Sequence, residues 1–301
     1  MAQATRSAPA LSVTLFGSTL FHDNGTPLEL GLKGTTIELL WYLAVNAGHP
    51  VRRECVADRF WQDSSGERQR SALNSAIWRI GKKLPSHPGL RLNATETTLC
   101  LTIDDSVPVD ARELCAAVRE ACAPQVMTRQ AAIRLDAALV ATDAPFMDGF
   151  DADWTLAERE RISNIRIRGM IALMHWHGGN RDYETALEIG RGLLHEDPFR
   201  EAVQIDMMWL YVLNGQRVQA IKQYEAFAAI LRAELSIDPM HETQALYVHI
   251  RDELDRGPQC PLADGQPPLG ENPAHESLAL GLAAAEQSRR EFYQALRARL
   301  G

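Results

Sequence analysis

The sequence predicts a mainly α protein, in which a small N-terminal α/β domain precedes an all-α domain of tetratricopeptide-like helical repeats. Strand-like patterns are confined to about the first 105 residues, and helical periodicity runs from Asp110 almost to Arg256. Within the helical stretch, two similar segments recur at an interval of 34 residues. A chain of 301 residues has room for about two domains of roughly 150 residues each.

The predicted boundaries divide the chain into five parts. Residues 1–10 are predicted to be a disordered N-terminus, 11–105 the α/β domain and 110–256 the helical domain. The stretch 257–273 is rich in Pro and Gly, which is typical of a linker, and residues 274–301 are predicted to form a last amphipathic helix.

The first domain has the element order of a winged helix-turn-helix. Residues 11–33 alternate like short strands around the turn signal D-N-G-T. Two helix-like stretches, TTIELLWYLAVNA and RECVADRFW, precede a third helix, and the segment LRLNATETTLCLTI then predicts a hairpin with a polar turn.

The third helix is basic although the chain is acidic. The protein has 31 Lys and Arg against 39 Asp and Glu, yet the run from Arg68 to Lys83 contains five basic residues and no acid. Ser64 and Glu67 form an S-x-x-E capping box that predicts where the helix begins. At about 100° per residue, one face is apolar and the opposite face carries cations, hydroxyls and an indole.

Two interpretations of this basic face stay open. It is either a solvated charged surface or a surface that contacts DNA. The absence of any acid favours a polyanion as partner, and the outward Trp78 favours a covered surface, unless the wing covers the indole. In a winged helix, Arg, Asn and Ser of this helix would face base edges or phosphates in the major groove, with Lys on the backbone.

The helical domain contains a repeat. Ala186-Leu187 and Ala220-Ile221 lie 34 residues apart, and Asp197-Pro198 ends the first copy, as in tetratricopeptide repeats. Paired helices of this kind form a concave surface for a peptide or small molecule. Five aromatic residues are predicted either to line such a groove or to pack between helices: Trp154, Trp176, Trp209, Tyr211 and Tyr224.

The sequence gives no support to catalysis or cofactor binding. It contains no Walker A, G-x-G-x-x-G, H-E-x-x-H or G-x-S-x-G motif. His175 and His177 are two positions apart on a predicted helix, so their rings diverge and a shared metal is not expected. Five scattered cysteines without a C-x-x-C pair, no secretory signal and no membrane span predict a cytoplasmic protein.

The segment TIELLWYLAVNAGHPVRRECVADRFWQDSSGERQRSALNSAIWRIGKKL resembles the OmpR-type winged helix of the Streptomyces antibiotic regulatory protein family. PFMDGFDADWTLAERERI is similar to the opening of the bacterial transcriptional activator domain that follows it in that family, with Trp154 and Arg159 in a D-W-x-L-x-E-R pattern. HEDPFREAV and LSIDP match later parts of the same domain.

The resemblance implies a transcriptional activator that binds double-stranded DNA in a sequence-specific way, often as a homodimer, and recruits RNA polymerase. Carried over by position, the candidate DNA contacts are Arg70, Asn74, Ser75, Trp78, Arg79 and Lys82. The charge of the basic run adds Arg68 and Lys83, and Arg91 is the basic candidate from the hairpin. Two departures weaken the pattern: Gly81 replaces a frequent Arg, and the wing turn carries Glu96 and no cation. The alternative is therefore a protein–protein adaptor or a ligand-sensing helical scaffold whose wing no longer binds DNA well.

Overall fold

A computed structural model describes residues 11–18, 20–123 and 127–255. The predicted disordered N-terminus, the linker and the last helix lie outside these ranges. Within the described ranges, no helix is long and apolar enough to span a bilayer.

The chain begins with a small antiparallel sheet. Its strands are β1 (Leu11–Val13), β2 (Phe21–Asp23) and β3 (Thr26–Pro27). Asn24 and Gly25 connect β2 to β3 with positive φ angles of 49° and 79°. Two successive positive φ angles are the requirement of a type I′ hairpin turn, which is why the Asn-Gly pair predicted the turn.

Three helices and a second sheet form the winged helix-turn-helix. The helices are α1 (Thr35–Val45), α2 (Arg53–Phe60) and α3 (Gly66–Lys83). The second sheet has the order β4-β6-β5, formed by β4 (Val51–Arg52), β5 (Leu90–Ala94) and β6 (Thr98–Ile103). The antiparallel β5–β6 hairpin is the wing, and β4 joins it beside the start of α2.

The predicted capping box at the start of α3 is wrong by one residue. Ser65, and not Ser64, is the N-cap, and no side chain caps the helix. Glu67 is consequently the second residue of the helix, whereas the reciprocal bond of a capping box needs the carboxylate at the third.

The rest of the described chain is helical, as predicted. Its helices are α4 (Asp110–Ala121), α5 (Arg129–Ala141), α6 (Asp153–Gly179), α7 (Tyr183–Glu196), α8 (Glu201–Leu213), α9 (Arg217–Glu234) and α10 (His241–Asp255). Consecutive helices from α6 to α10 pack against each other. Ala186, Leu187 and Ala220 of the repeat are buried, since small and apolar residues are needed where helices approach.

The winged helix shares a hydrophobic core with α4, α5 and part of α6, and a second apolar cluster joins α6 to α7 and α8. Val13 forms a parallel bridge with Val109, and the Met147 amide donates to the Leu15 carbonyl at 2.8 Å. The Asp110 carboxylate accepts hydrogen bonds from the amides of Leu15 and Phe16 at 2.8 to 3.0 Å. These contacts join the N-terminal sheet to α4 and to the loop between α5 and α6, segments that are far apart in sequence.

Candidate nucleic-acid interface

The third helix has the two faces that the sequence predicted. Leu73, Ala76 and Ile80 are buried against the winged-helix core. The nine candidate DNA contacts are all exposed: Arg68, Arg70, Asn74, Ser75, Trp78, Arg79, Lys82, Lys83 and Arg91. The structure therefore gives α3 one face that packs into the core and one that is exposed to solvent.

Trp78 is the most prominent apolar group of this face. Its side chain is 65% exposed, so the wing does not cover it. The Lys82 ammonium group lies 5.6 Å from the centre of its ring, within the range of a cation–π contact. The indole is thus solvated on a strongly basic surface. This arrangement suits an anionic partner that also has apolar surface for the indole to cover.

The cations of α3 are not neutralised by the protein. Among the described residues, none of its five Arg and Lys side chains forms an ion pair, whereas Arg134, Arg161 and Arg166 of the helical part are each paired with a carboxylate. Their charges repel each other in the free chain, and an anionic partner would relieve that repulsion.

Arg53, the first residue of α2, connects three parts of this interface and was missed as a site residue. Its Nη2 donates to Oδ1 of Asn74 on α3, and its Nη1 donates to the Thr95 carbonyl in the wing turn at 3.2 Å. The Arg53 amide donates to the Thr97 carbonyl at 2.9 Å. The only signal in the sequence was the V-x-R pattern at Val51–Arg53. That pattern does not indicate contacts with Asn74 and Thr95, which lie 21 and 42 positions further along the chain.

The wing turn is tight and carries no cation. The Thr95 hydroxyl accepts from the Thr98 amide at 2.9 Å, and the exposed Glu96 stands at the tip. Arg91, the one cation predicted to contact DNA from the hairpin, donates its Nε to the Pro88 carbonyl at 3.1 Å. Arg91 is therefore held at the base of the hairpin, and the tip offers a negative charge.

The five aromatic residues predicted to line a groove are not gathered in one. Trp154 is only 9% exposed and packs edge-on against Tyr42 of α1 at 5.1 Å, so groove lining is wrong for it. Trp176, Trp209, Tyr211 and Tyr224 are half-buried, and Tyr224 stacks on Tyr247 at 4.2 Å. Inter-helix packing is the plainer role, because an aromatic side chain gains most by covering apolar neighbours.

A cavity of about 300 Å³ lies elsewhere in the helical part. It is bordered by α5, α6 and α7, and Val140, Arg166 and Met170 are among its lining residues. None of the five aromatics lines it.

His175 and His177 contact different carboxylates, since His175 bonds to Asp206 and His177 bonds to Asp182.

Comparison with known proteins supports the assignment of the helical part. Residues 109–251 match the family model of the bacterial transcriptional activator domain. The solved structure of Mycobacterium tuberculosis EmbR in complex with a low affinity phosphopeptide matches with a TM-score of 0.67, covering 92% of this chain and 71% of that chain at 20% identity. That likeness shows a shared fold. Comparison with curated proteins finds no match.

The family match of residues 109–251 indicates a transcriptional regulator rather than an enzyme. The chain carries a bacterial transcriptional activator domain at residues 109–251, after a winged helix, in the domain order that the resemblance to the Streptomyces antibiotic regulatory protein family implies.

Proposed function

We propose that this protein is a cytoplasmic, sequence-specific DNA-binding activator whose α3 enters the major groove. The observation that carries the proposal is the exposed, acid-free face of α3, whose five cations have no carboxylate partner among the described residues, opposite a buried apolar face. DNA provides the missing counter-charge, because its phosphates form a continuous anionic surface along both sides of the groove.

The residues of this face divide into two roles. Arg79, an exposed residue on the flank of this face, is the principal candidate for reading a base, because a guanidinium matches the two acceptors of guanine. Arg68, Arg70, Ser75, Lys82 and Lys83 would hold phosphates and fix the register of the helix. Trp78 would cover sugar or thymine methyl surface.

The wing contributes little to this interface. Glu96 at its tip repels phosphate, and Arg91 is held at the base of the hairpin. A single copy of the chain would therefore bind modestly, and a homodimer on two half-sites would supply the remaining affinity through its second helix. The helical domain, which matches the bacterial transcriptional activator domain, would contact RNA polymerase.

The test is fluorescence anisotropy of the purified chain on a labelled duplex from upstream of its own gene, with a scrambled duplex of equal length beside it. Measurements at several salt concentrations separate phosphate neutralisation from base reading. Binding that is tighter on the natural duplex, and that weakens as salt rises, supports the proposal. No binding at low salt would overturn it in favour of the protein–protein adaptor.

The matched variants are Arg79→Ala and Lys222→Ala, each of which removes one exposed cation. Arg79→Ala is expected to weaken specific binding by about 1–3 kcal/mol, as is typical of a base-reading Arg. Lys222 lies on α9, away from α3, so its loss should leave binding unchanged. An equal loss on both duplexes for Arg79→Ala would make this residue a phosphate contact instead.

A further inference from the structure

The contact between Arg53 and Asn74 concerns the base preference of the interface. Asn74 lies on the exposed flank of α3, four residues before Trp78. Its Oδ1 accepts from Nη2 of Arg53, and the same guanidinium reaches the Thr95 carbonyl through Nη1. Because the Arg53 amide is also bound to Thr97, both ends of this residue are attached to the wing.

Arg53 determines which way the Asn74 amide is turned. An Asn amide has an oxygen that accepts and a nitrogen that donates, and rotation by about 180° exchanges them at little intrinsic cost. A guanidinium can only donate, so the Asn74 oxygen must face it. The NH₂ group is then the part of the amide left for a partner.

A donor at this position selects among base edges. In the major groove, guanine offers the acceptors N7 and O6 and thymine offers O4, whereas cytosine offers the donor N4. We propose that Arg53 is a positioning residue that presents Asn74 to DNA as a donor, and so gives the site a preference for guanine or thymine over cytosine at the base pair beside Asn74. This inference rests on the proposed DNA-binding function.

Arg53→Lys and Arg53→Met are the variants that test it. Lys keeps the positive charge but cannot reach Asn74 and Thr95 together, and Met keeps the aliphatic length without any donor. Arg52→Met is the matched control, because it removes the same charge from the adjacent exposed residue. Circular dichroism and thermal unfolding establish whether each variant is folded. If Arg53→Met does not fold, Arg53→Lys alone decides the result.

The experiment selects bound duplexes from a library randomised across the half-site and then measures single-base variants by anisotropy. The base pair beside Asn74 is the one whose preference disappears in Asn74→Ala. At that pair, both Arg53 variants are expected to reduce the preference against cytosine by about five-fold, the value of one hydrogen bond. In the Asn74→Ala background, Arg53→Met should cause no further change in the preference against cytosine.

Two outcomes overturn the inference while leaving DNA binding intact. Arg53→Lys and Arg53→Met could retain the wild-type preference at the Asn74 position. Alternatively, Arg53→Met could weaken all duplexes equally and lower the salt slope by about one, which is the behaviour of a phosphate contact. If the wild-type chain binds no duplex selectively, the proposed function fails first, and the inference fails with it.

Discussion

The ammonium group of Lys82 lies 5.6 Å from the centre of the Trp78 ring, on the exposed side of α3. An exposed contact of this kind contributes only about 0.5–1 kcal/mol, so it does not explain why a large indole is left in water. Its effect is to hold two flexible side chains together on the surface that the proposed function assigns to DNA. Part of the entropy that Trp78 and Lys82 would lose on binding is therefore already lost in the free protein.

Trp78→Ala is therefore expected to affect binding and not stability. The side chain is 65% exposed, so its removal should change the free energy of unfolding by less than about 0.5 kcal/mol. Affinity for the duplex should fall about three- to ten-fold, as the aromatic contact and the ordering of Lys82 are both lost. Anisotropy and urea unfolding measure the two effects. Leu156→Ala, at an exposed apolar residue of α6, is the control that should leave affinity unchanged.

Gly81 lowers the stability of α3 without a packing reason. A Cβ placed there meets nothing within 4 Å, so Gly81→Ala should gain about 1 kcal/mol from helix propensity and raise the melting temperature by a few degrees. Gly190→Ala is the contrasting variant, because its Cβ would lie 2.2 Å from the sulfur of Met207. Scanning calorimetry should show stabilisation in the first case and destabilisation in the second. Stabilisation by both would mean that α7 and α8 separate easily.

Local patterns predicted the fold because each element carries its own period. Leu73, Ala76 and Ile80 follow the helical repeat, and the Asn24-Gly25 pair specifies a hairpin, so α3 and the first sheet could be read from sequence. Where two residues of one type are adjacent, the pattern cannot tell which of them caps the helix, and Ser65 rather than Ser64 is the N-cap of α3.

Contacts between distant segments left no such pattern. Trp154 was expected either to line a groove or to pack between helices of the repeat domain, but its partners Tyr42 and Phe60 belong to the winged helix. Arg53 was missed for the same reason, since Asn74 and Thr95 are its neighbours only after folding. The exposed face of α3 was predictable, and the residues that orient it were not.

Asp110 gives stability a pH dependence whose sign is opposite to that of most carboxylates. Burial raises its pKa above the usual 3.8, although the amides of Leu15, Phe16 and Ala111 donate to it and act in the opposite direction. The folded state thus holds its proton more tightly than the unfolded state. The contribution of Asp110 to the free energy of unfolding is fully present below pH 3.8. It is lost as the pH rises through the pKa that Asp110 has in the folded state.

The measurement is urea unfolding of the wild type and of Asp110→Asn between pH 3.5 and 7, a range that brackets the usual Asp pKa. Only the difference between the two proteins is used, because other carboxylates titrate in both. The stability of the wild type relative to the variant should fall as pH rises from about 3.8. Asp110→Ala should be less stable than either at all pH values, since three amides lose their acceptor. A relative stability that rises with pH would mean that the carboxylate is better accommodated when charged.

Arg159 fixes the loop that joins α5 to α6. Its Nε donates to the Phe146 carbonyl at 2.8 Å, and its Nη2 donates to the carbonyls of Met147 and Phe150 at 2.7 and 2.6 Å. The same loop pairs with the residues after β1, and Phe150 packs on Trp41 at 5.1 Å. One guanidinium therefore satisfies three carbonyls at the junction of the winged helix and the helical part.

Arg159→Met is expected to lower the free energy of unfolding by about 2–4 kcal/mol, because three charge-assisted bonds to partly buried carbonyls are lost. Arg161→Met is the matched control two positions along α6: its partner is Glu158 in an i,i+3 pair, and its side chain is about half exposed. Such a surface pair is worth roughly 0.2–1 kcal/mol. Urea unfolding of both variants measures the contrast. Equal losses would show that the junction is held by its apolar contacts, and that the Arg of the D-W-x-L-x-E-R pattern acts as an ordinary surface cation.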